Sequence, residues 1–182
     1  MQPEETDMFD PTVFDNLKVA FENHVYDLDN LTEQIHITNR IDHLEMSVMS
    51  REFALEFTLV EQKEISAEIR LQASLKDLAS EILEVEGEKP GCTLVLRFSL
   101  PIKDVSAQCN QIQGILQEIW QPDVAPIQTL SFVFGQDQPI YQDTIEMKFS
   151  RKINEDQMGD ITELVDHVLR TLTELNTIYA PF

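Results

Sequence analysis

Four histidines, two cysteines and a large excess of carboxylates are the side chains of this 182-residue chain that could do chemistry. Their spacing decides which chemistry is open to them. The histidines stand at positions 24, 36, 43 and 167. A helical zinc site sets two histidines four residues apart with a glutamate beside the first, and no pair here has that spacing. His43 and Glu45 share one face of a predicted strand and Asp42 takes the other, so a metal there needs ligands from distant parts of the chain. Asp27, Asp29 and Glu33 lack the glycine and the distal glutamate of a calcium loop. Cys92 and Cys109 make no disulfide framework. They read as small, reduced core residues, Cys92 opening a strand and Cys109 on an apolar helix face. No serine occupies a Gly-x-Ser-x-Gly elbow and no cysteine lies in a glycine-rich context. The five glycines, at 87, 91, 114, 135 and 159, assemble no phosphate-cradling loop, which argues against mononucleotide and dinucleotide folds. No catalytic residue, no metal and no cofactor is therefore predicted. Asn30-Leu31-Thr32 matches a glycosylation triplet, idle without a secretory signal.

The carboxylates carry a different message. Thirteen Lys and Arg against 33 Asp and Glu leave a net charge of −20, where a small domain usually carries a magnitude of about 2–8. The basic residues come singly or in pairs, as at Arg151-Lys152. The basic face that phosphate contacts require is absent, which excludes nucleic acid except as something the chain mimics. An anionic membrane surface is excluded on the same ground. The acidity reads first as a solubility device, and second as a surface for a basic partner. Glu45, Glu56, Glu68 and Glu146 alternate with apolar strand positions, which marks a solvated sheet face. The acidic opening "MQPEETDMFD" has no apolar run behind it and no stretch approaches the ~18 apolar residues of a membrane span. No signal peptide, no membrane and a cytoplasmic setting are expected.

The positioning elements follow from periodicity. Residues 1–10 read as an acidic tail and residues 11–182 as one domain, with two pseudo-repeated halves at 11–86 and 92–182. Val13, Phe14, Leu17, Phe21, Val25 and Leu28 fall at helical spacing, which predicts a helix over about 11–29 with Asp10 as its cap and Pro11 in its first turn. Between Ile35 and Ala73 the period becomes two, so three strands are expected, turning near Ser50-Arg51 and Glu61–Glu64. Such short connections require antiparallel pairing. Ser74 caps a helix to about Glu84 with Leu75, Leu78, Ile82 and Leu83 inward. "EVEGEKPG", residues 84–91, is the clearest breaker. A strand with Leu94, Leu96, Phe98 and Leu100 on one face leads to a helix at about 104–120. Two more strands flank a turn at Gly135–Pro139, and Asn154 starts the last helix, with Met158, Ile161, Val165 and Val168 inward. Gly114 and Gly159 fall inside helices, which close helix packing would explain.

The fold class is α+β, an antiparallel sheet of about six or seven strands with about four helices mainly on one face. Residues 51–84 and 127–177 show a weak internal repeat of two strands and a helix, because Ile69–Ser74 and Ile145–Ser150 keep their apolar positions in step. The tail "IYAPF" and the first helix supply the predicted partner-binding residues, Phe14, Phe21, Val25, Tyr179 and Phe182.

No family is identified from residues. In element order and acidity alone the chain is similar to small secretion-type chaperones, which run helix, three strands, helix, two strands, helix. The resemblance implies a dimer that holds a partner segment. The extra helix at 104–120 and the greater length depart from that pattern, and no residue role is carried over. The expected function is a non-enzymatic protein-binding, adaptor or chaperone-like module that works as a homodimer. The alternatives are a small-ligand sensor domain and an enzyme with a carboxylate or histidine site at the junction of the halves.

Overall fold

The computed structural model describes residues 12–179. The predicted acidic tail, the Asp10 cap and Phe182 lie outside the described residues. The elements run α1 (Val13–Asn30), β1 (Ile35–Glu45), β2 (Ser50–Leu59), β3 (Gln62–Ala73), α2 (Leu75–Ile82), β4 (Thr93–Ile102), α3 (Val105–Trp120), β5 (Ile127–Ser131), β6 (Tyr141–Lys148), a 3₁₀ turn (Glu155–Asp160) and α4 (Ile161–Ile178). The six strands form one antiparallel sheet in the order β1-β2-β3-β4-β6-β5. The fold is α+β, as the period-two runs between short turns require. Helix α3 carries the chain from β4 to the sheet edge, and β6 returns between β4 and β5.

One face of the sheet is the core. Phe53, Leu55 and Phe57 of β2 face Leu71, Ile69 and Ala67 of β3, and Leu94, Leu96 and Phe98 of β4 continue the layer to Ile145 and Met147 of β6. Phe14, Leu17, Phe21 and Val25 of α1 and Val165, Val168, Leu172 and Leu175 of α4 belong to the same buried cluster. Helix α3 joins it through Ile112 and Leu116 and packs on α4. Trp120 closes α3, donating Nε1–H to Thr171 Oγ1 of α4 at 2.9 Å and lying edge-on to Phe149.

Local signals explain the boundaries, with four differences from the sequence reading. Helix α1 is capped by Thr12, not started at Pro11, because Thr12 and Asp15 satisfy each other's backbone in a capping box. The first hairpin turns at Met46–Met49 rather than Ser50-Arg51, with Met49 at φ 52°. The last helix does not run unbroken from Asn154: a 3₁₀ turn capped by Asn154 and Gln157 precedes α4, and Met158 there is exposed. Helix packing does not explain Gly114 or Gly159, since a Cβ on either meets nothing within 4 Å. Gly114 lies in the exposed face of α3, so Gly114→Ala is expected to raise stability by about 1 kcal/mol, read as a higher urea midpoint with an unchanged m-value. Gly91 is the opposite case. A Cβ there would sit 2.8 Å from the carbonyl oxygen of Ile153, where Cys92 and Ile153 exchange backbone hydrogen bonds of 2.7 and 2.9 Å. That stitch ties the start of β4 to the segment before α4, so the breaker at 84–91 ends in a backbone contact.

One sheet runs through both predicted halves. Both stretches run strand, strand, helix, but α4 lays its whole apolar stripe on the core, whereas of the predicted inward residues of α2 only Leu78 packs there.

Candidate interaction surfaces

Helix α2 is inside out. Ser74 caps it in a box with Asp77 as predicted. Leu78 packs against the core as predicted, yet Asp77 and Ser80 are buried, while Leu75, Ile82 and Leu83 are exposed, the last two at 70% and 72%. The reason is in its polar side. Glu81 Oε1 accepts the first free backbone N–H of α1, that of Val13, at 2.7 Å, which satisfies an orphan donor at the positive end of a helix. Asp77 takes Lys152 and the Ser74 hydroxyl. Burial pushes Asp77 up, but the bonds from Lys152 and Ser74 outweigh it and hold the carboxyl below its ordinary value. The helix is docked by its carboxylates and by Leu78, and Leu75, Ile82 and Leu83 face outward beside Val85.

The turn Met46–Met49 stands at the same end of the sheet, since Arg51 pairs with Ala73. It exposes Met46, Val48 and Met49, with Leu44 just before it. A cleft of about 350 Å³ opens between the two, lined by His43, Arg51, Glu52, Gln72, Asp77 and Lys152 among others. Most of its charged side chains are committed to structure. Arg51 lies 4.4 Å above the Phe14 ring and donates to Asp15 at 2.7 Å. Glu52 takes Arg70 at 2.7 Å and Gln72 at 2.7 Å. The arrangement is a polar floor between two apolar rims.

The opposite end of the sheet offers a second exposed region. Phe132, Val133 and Phe134 follow β5 with Phe134 93% exposed, and Phe132 tilts against the Tyr141 ring at 5.5 Å. Among the described residues strand β5 is an edge, with a ladder on the β6 side alone.

On the uncovered sheet face Glu68 and Glu146 are paired with basic side chains. Arg70 grips Glu68 through two nitrogens at 2.9 and 3.0 Å and reaches Glu52. Arg97 holds Glu146 at 2.7 Å, and Lys148 joins it at 2.9 Å. Beside this charged band a row of hydroxyls crosses five strands in direct register, Thr58–Ser66–Ser99–Thr144–Thr129.

The reactive side chains are dispersed. Burial, with Asp77 and Glu81 nearby, pushes the Cys92 thiol up to about 12. Burial and the adjacent Asp143 raise Cys109 as well. Both thiols are protonated at neutral pH, which leaves neither as a ready nucleophile. Asp143 points into the core and is fully buried. Among the described residues its Oδ2 receives only the Cys109 thiol at 3.9 Å and its Oδ1 has no partner. Burial pushes it up to about 6. His36 and His43 are exposed, His24 and His167 half-buried. Among the described residues no three His, Cys, Asp or Glu side chains gather as a metal site.

The predicted partner-binding residues fall elsewhere. Phe14, Phe21 and Val25 are buried in the chain's own core and Tyr179 is half-buried against it. The exposed apolar side chains of α2 and of the two turns were missed because their spacing fits burial equally well. No helix among the described residues is long and apolar enough to cross a membrane. No family model matches the chain, and neither a curated protein nor a solved structure matches it.

Proposed function

We propose that the protein is a non-enzymatic binding module that holds an apolar or amphipathic segment of a protein partner across the end formed by α2 and the Met46–Met49 turn. The observation that carries this reading is the outward apolar stripe of α2. A short helix that buries Asp77 and Ser80 and exposes Ile82 and Leu83 leaves apolar surface in water, and such surface marks interaction sites. Met46 and Met49 suit the role, because unbranched thioether side chains adapt to differing partners. A cytoplasmic setting and a chaperone-like or adaptor role are consistent with it. The enzyme and sensor alternatives would use the cleft, but Glu52, Asp77, Arg51 and Lys152 are held by partners inside the fold.

The test is selection of a displayed random-peptide library on the purified protein, followed by fluorescence anisotropy of enriched peptides. Apolar or amphipathic peptides are expected to enrich, and the triple variant L75S/I82S/L83S is expected to weaken them at least about tenfold with an unchanged circular dichroism spectrum. An empty selection, or peptides that bind the triple variant equally well, would remove the reading.

A further inference from the structure

The two edges of the sheet are built differently. β1 carries a bulge between Ile37 and Asn39 and the charged residues Arg40, Asp42 and Glu45, with Arg40 and Asp42 paired to Glu22 and Lys18 of α1. Bulges and edge charges are the devices that keep a sheet from pairing with another chain. β5 has neither. Its ladder with β6 is regular from Ile127 to Ser131, and the segment from Val124 to Gln136 contains no Asp, Glu, Lys or Arg at all, in a chain whose net charge is −20. Among the described residues, no loop or cap backbone hydrogen bond involves residues 122–140. This is a short, uncharged and unbulged strand edge, preceded by Pro126, with an exposed Phe-Val-Phe beside it.

We infer that β5 pairs with β5 of a second copy, antiparallel about a twofold axis through Thr129, so that two sheets join into one. Three observations select a second copy over a foreign strand. The edge is self-complementary: centring on Thr129 brings all five residues of the strand into the pairing, Ile127 opposite Ser131 and Gln128 opposite Leu130, as an isologous contact requires. The same register, carried past the strand ends, sets Phe132 against Pro126 and the exposed Phe134 against the exposed Val124, with Pro126 ending the ladder because it has no N–H to give. Finally, the hydroxyl row on the open face reaches the edge at Thr129. The twofold sets Thr129 against its own copy and continues the row through Thr144, Ser99 and Ser66 of that copy, and Thr–Thr pairs across strands are favourable. Charge supports the choice of place. Two copies of a −20 chain repel over most of their surfaces, and this edge is where they can approach without setting carboxylates against each other.

The contact is small. Five paired residues and a Phe rim fall at the low end of interface sizes, so the dimer is expected to dissociate on dilution, with a dissociation constant on the order of micromolar. Screening of the mutual repulsion should tighten it severalfold between about 0.05 and 0.5 M salt.

The experiment is sedimentation velocity of the full chain over a concentration and salt series, combined with disulfide trapping. In the expected result the mass doubles with concentration and doubles more readily in high salt. T129K and F134E, both at exposed positions, remain folded and monomeric. Thr129→Cys oxidises to a dimer, because directly opposed residues of an antiparallel pair have Cα atoms ~4.5–5.5 Å apart, within the ~4.4–6.8 Å that a disulfide spans. Ile127→Cys alone does not, and an equal mixture of Ile127→Cys and Ser131→Cys does. A chain that stays monomeric throughout and traps no faster at Thr129 than at Ile127 overturns the inference. A dimer that survives T129K and F134E overturns it too, by placing the contact on another surface. So does a monomer whose residues 127–131 gain hydrogen-exchange protection from a selected peptide, which would make the edge a site for a foreign strand. Peptide binding at α2 is read separately with L75S/I82S/L83S, so failure at one end is distinguishable from failure at the other.

Discussion

Arg70→Ala is expected to lower the unfolding free energy by about 3 kcal/mol at neutral pH, the largest effect of any single change on the open face. Arg70 holds a position that no shorter side chain can fill. Its guanidinium forks onto Glu68 at 2.9 and 3.0 Å and reaches Glu52 at 2.7 Å, a geometry suited to a planar five-donor group. Its stem lies in the ladder row between Ala54 and Val95, both nearly fully buried although they point to the uncovered side. Truncation therefore acts twice. It leaves two mostly buried carboxylates without their common cation, and it opens apolar surface that the stem covers. Arg70→Lys keeps the charge and the stem but loses the fork, and should cost about 1 kcal/mol. Burial pushes the Glu52 carboxyl up, and the Gln72 and Arg70 contacts outweigh it and hold the group below its ordinary value. A depressed carboxylate contributes stability above its unfolded value, and that contribution is lost as pH falls through the folded one. The difference between wild type and Arg70→Ala should accordingly shrink below about pH 4. Urea titrations at pH 7 and at pH 3.5 measure it. A loss under 1 kcal/mol at neutral pH, or one equal at both pH values, would contradict the account.

Asp143→Asn is expected to do the reverse and stabilise the chain by about 2 kcal/mol at pH 7.5. Asp143 faces Leu100 and Leu130 in the sheet register and is fully buried on the core side. Among the described residues a thiol is its one hydrogen-bond partner, and one of its oxygens has none. Burial lifts it from 3.8 to about 6. Because the folded value lies above the unfolded one, the folded state holds a proton that the unfolded state has lost throughout that interval. The destabilisation is complete above pH 6, declines on acidification and is gone below the unfolded value. A gap of that size corresponds to roughly 3 kcal/mol, reduced here because the new amide needs acceptors of its own. Gln128 Oε1, buried without a donor and two residues along the adjoining strand, is one within diagonal reach. The melting temperatures of wild type and Asp143→Asn should differ most at pH 7.5 and converge near pH 4. A variant less stable than wild type at pH 7.5 would show that the carboxylate is held by contacts stronger than those seen.

The sequence by itself determined the elements and one of their two faces. Period-two runs from Ile35 to Ala73 and from Cys92 to Leu100 could bury alternate side chains in one way only, because a slip of one residue turns each strand over. Short turns forced antiparallel neighbours, and the stripes at Phe14–Val25 and Val165–Leu175 forced helices onto the apolar side. Ser74 and Asn154 were legible as caps because capping is local. What only the tertiary structure decided is who answers each polar group from far away. Leu75, Ile82 and Leu83 have the spacing of a buried stripe, but the pull of Val13 N–H on Glu81 and of Lys152 on Asp77 joins residues 68 and 75 positions apart, and it turned α2 over. The buried place of Asp143, the pairing of Glu68 and Glu146 with arginines, and the exposure of β5 as an edge also depend on strand order. Strand order was set by the return of β6 between β4 and β5, and no local pattern encodes that return. The periodicity of a segment states that a face will be covered. Which face, and by what, is fixed by long-range contacts whose partners a single pass along the chain does not bring together.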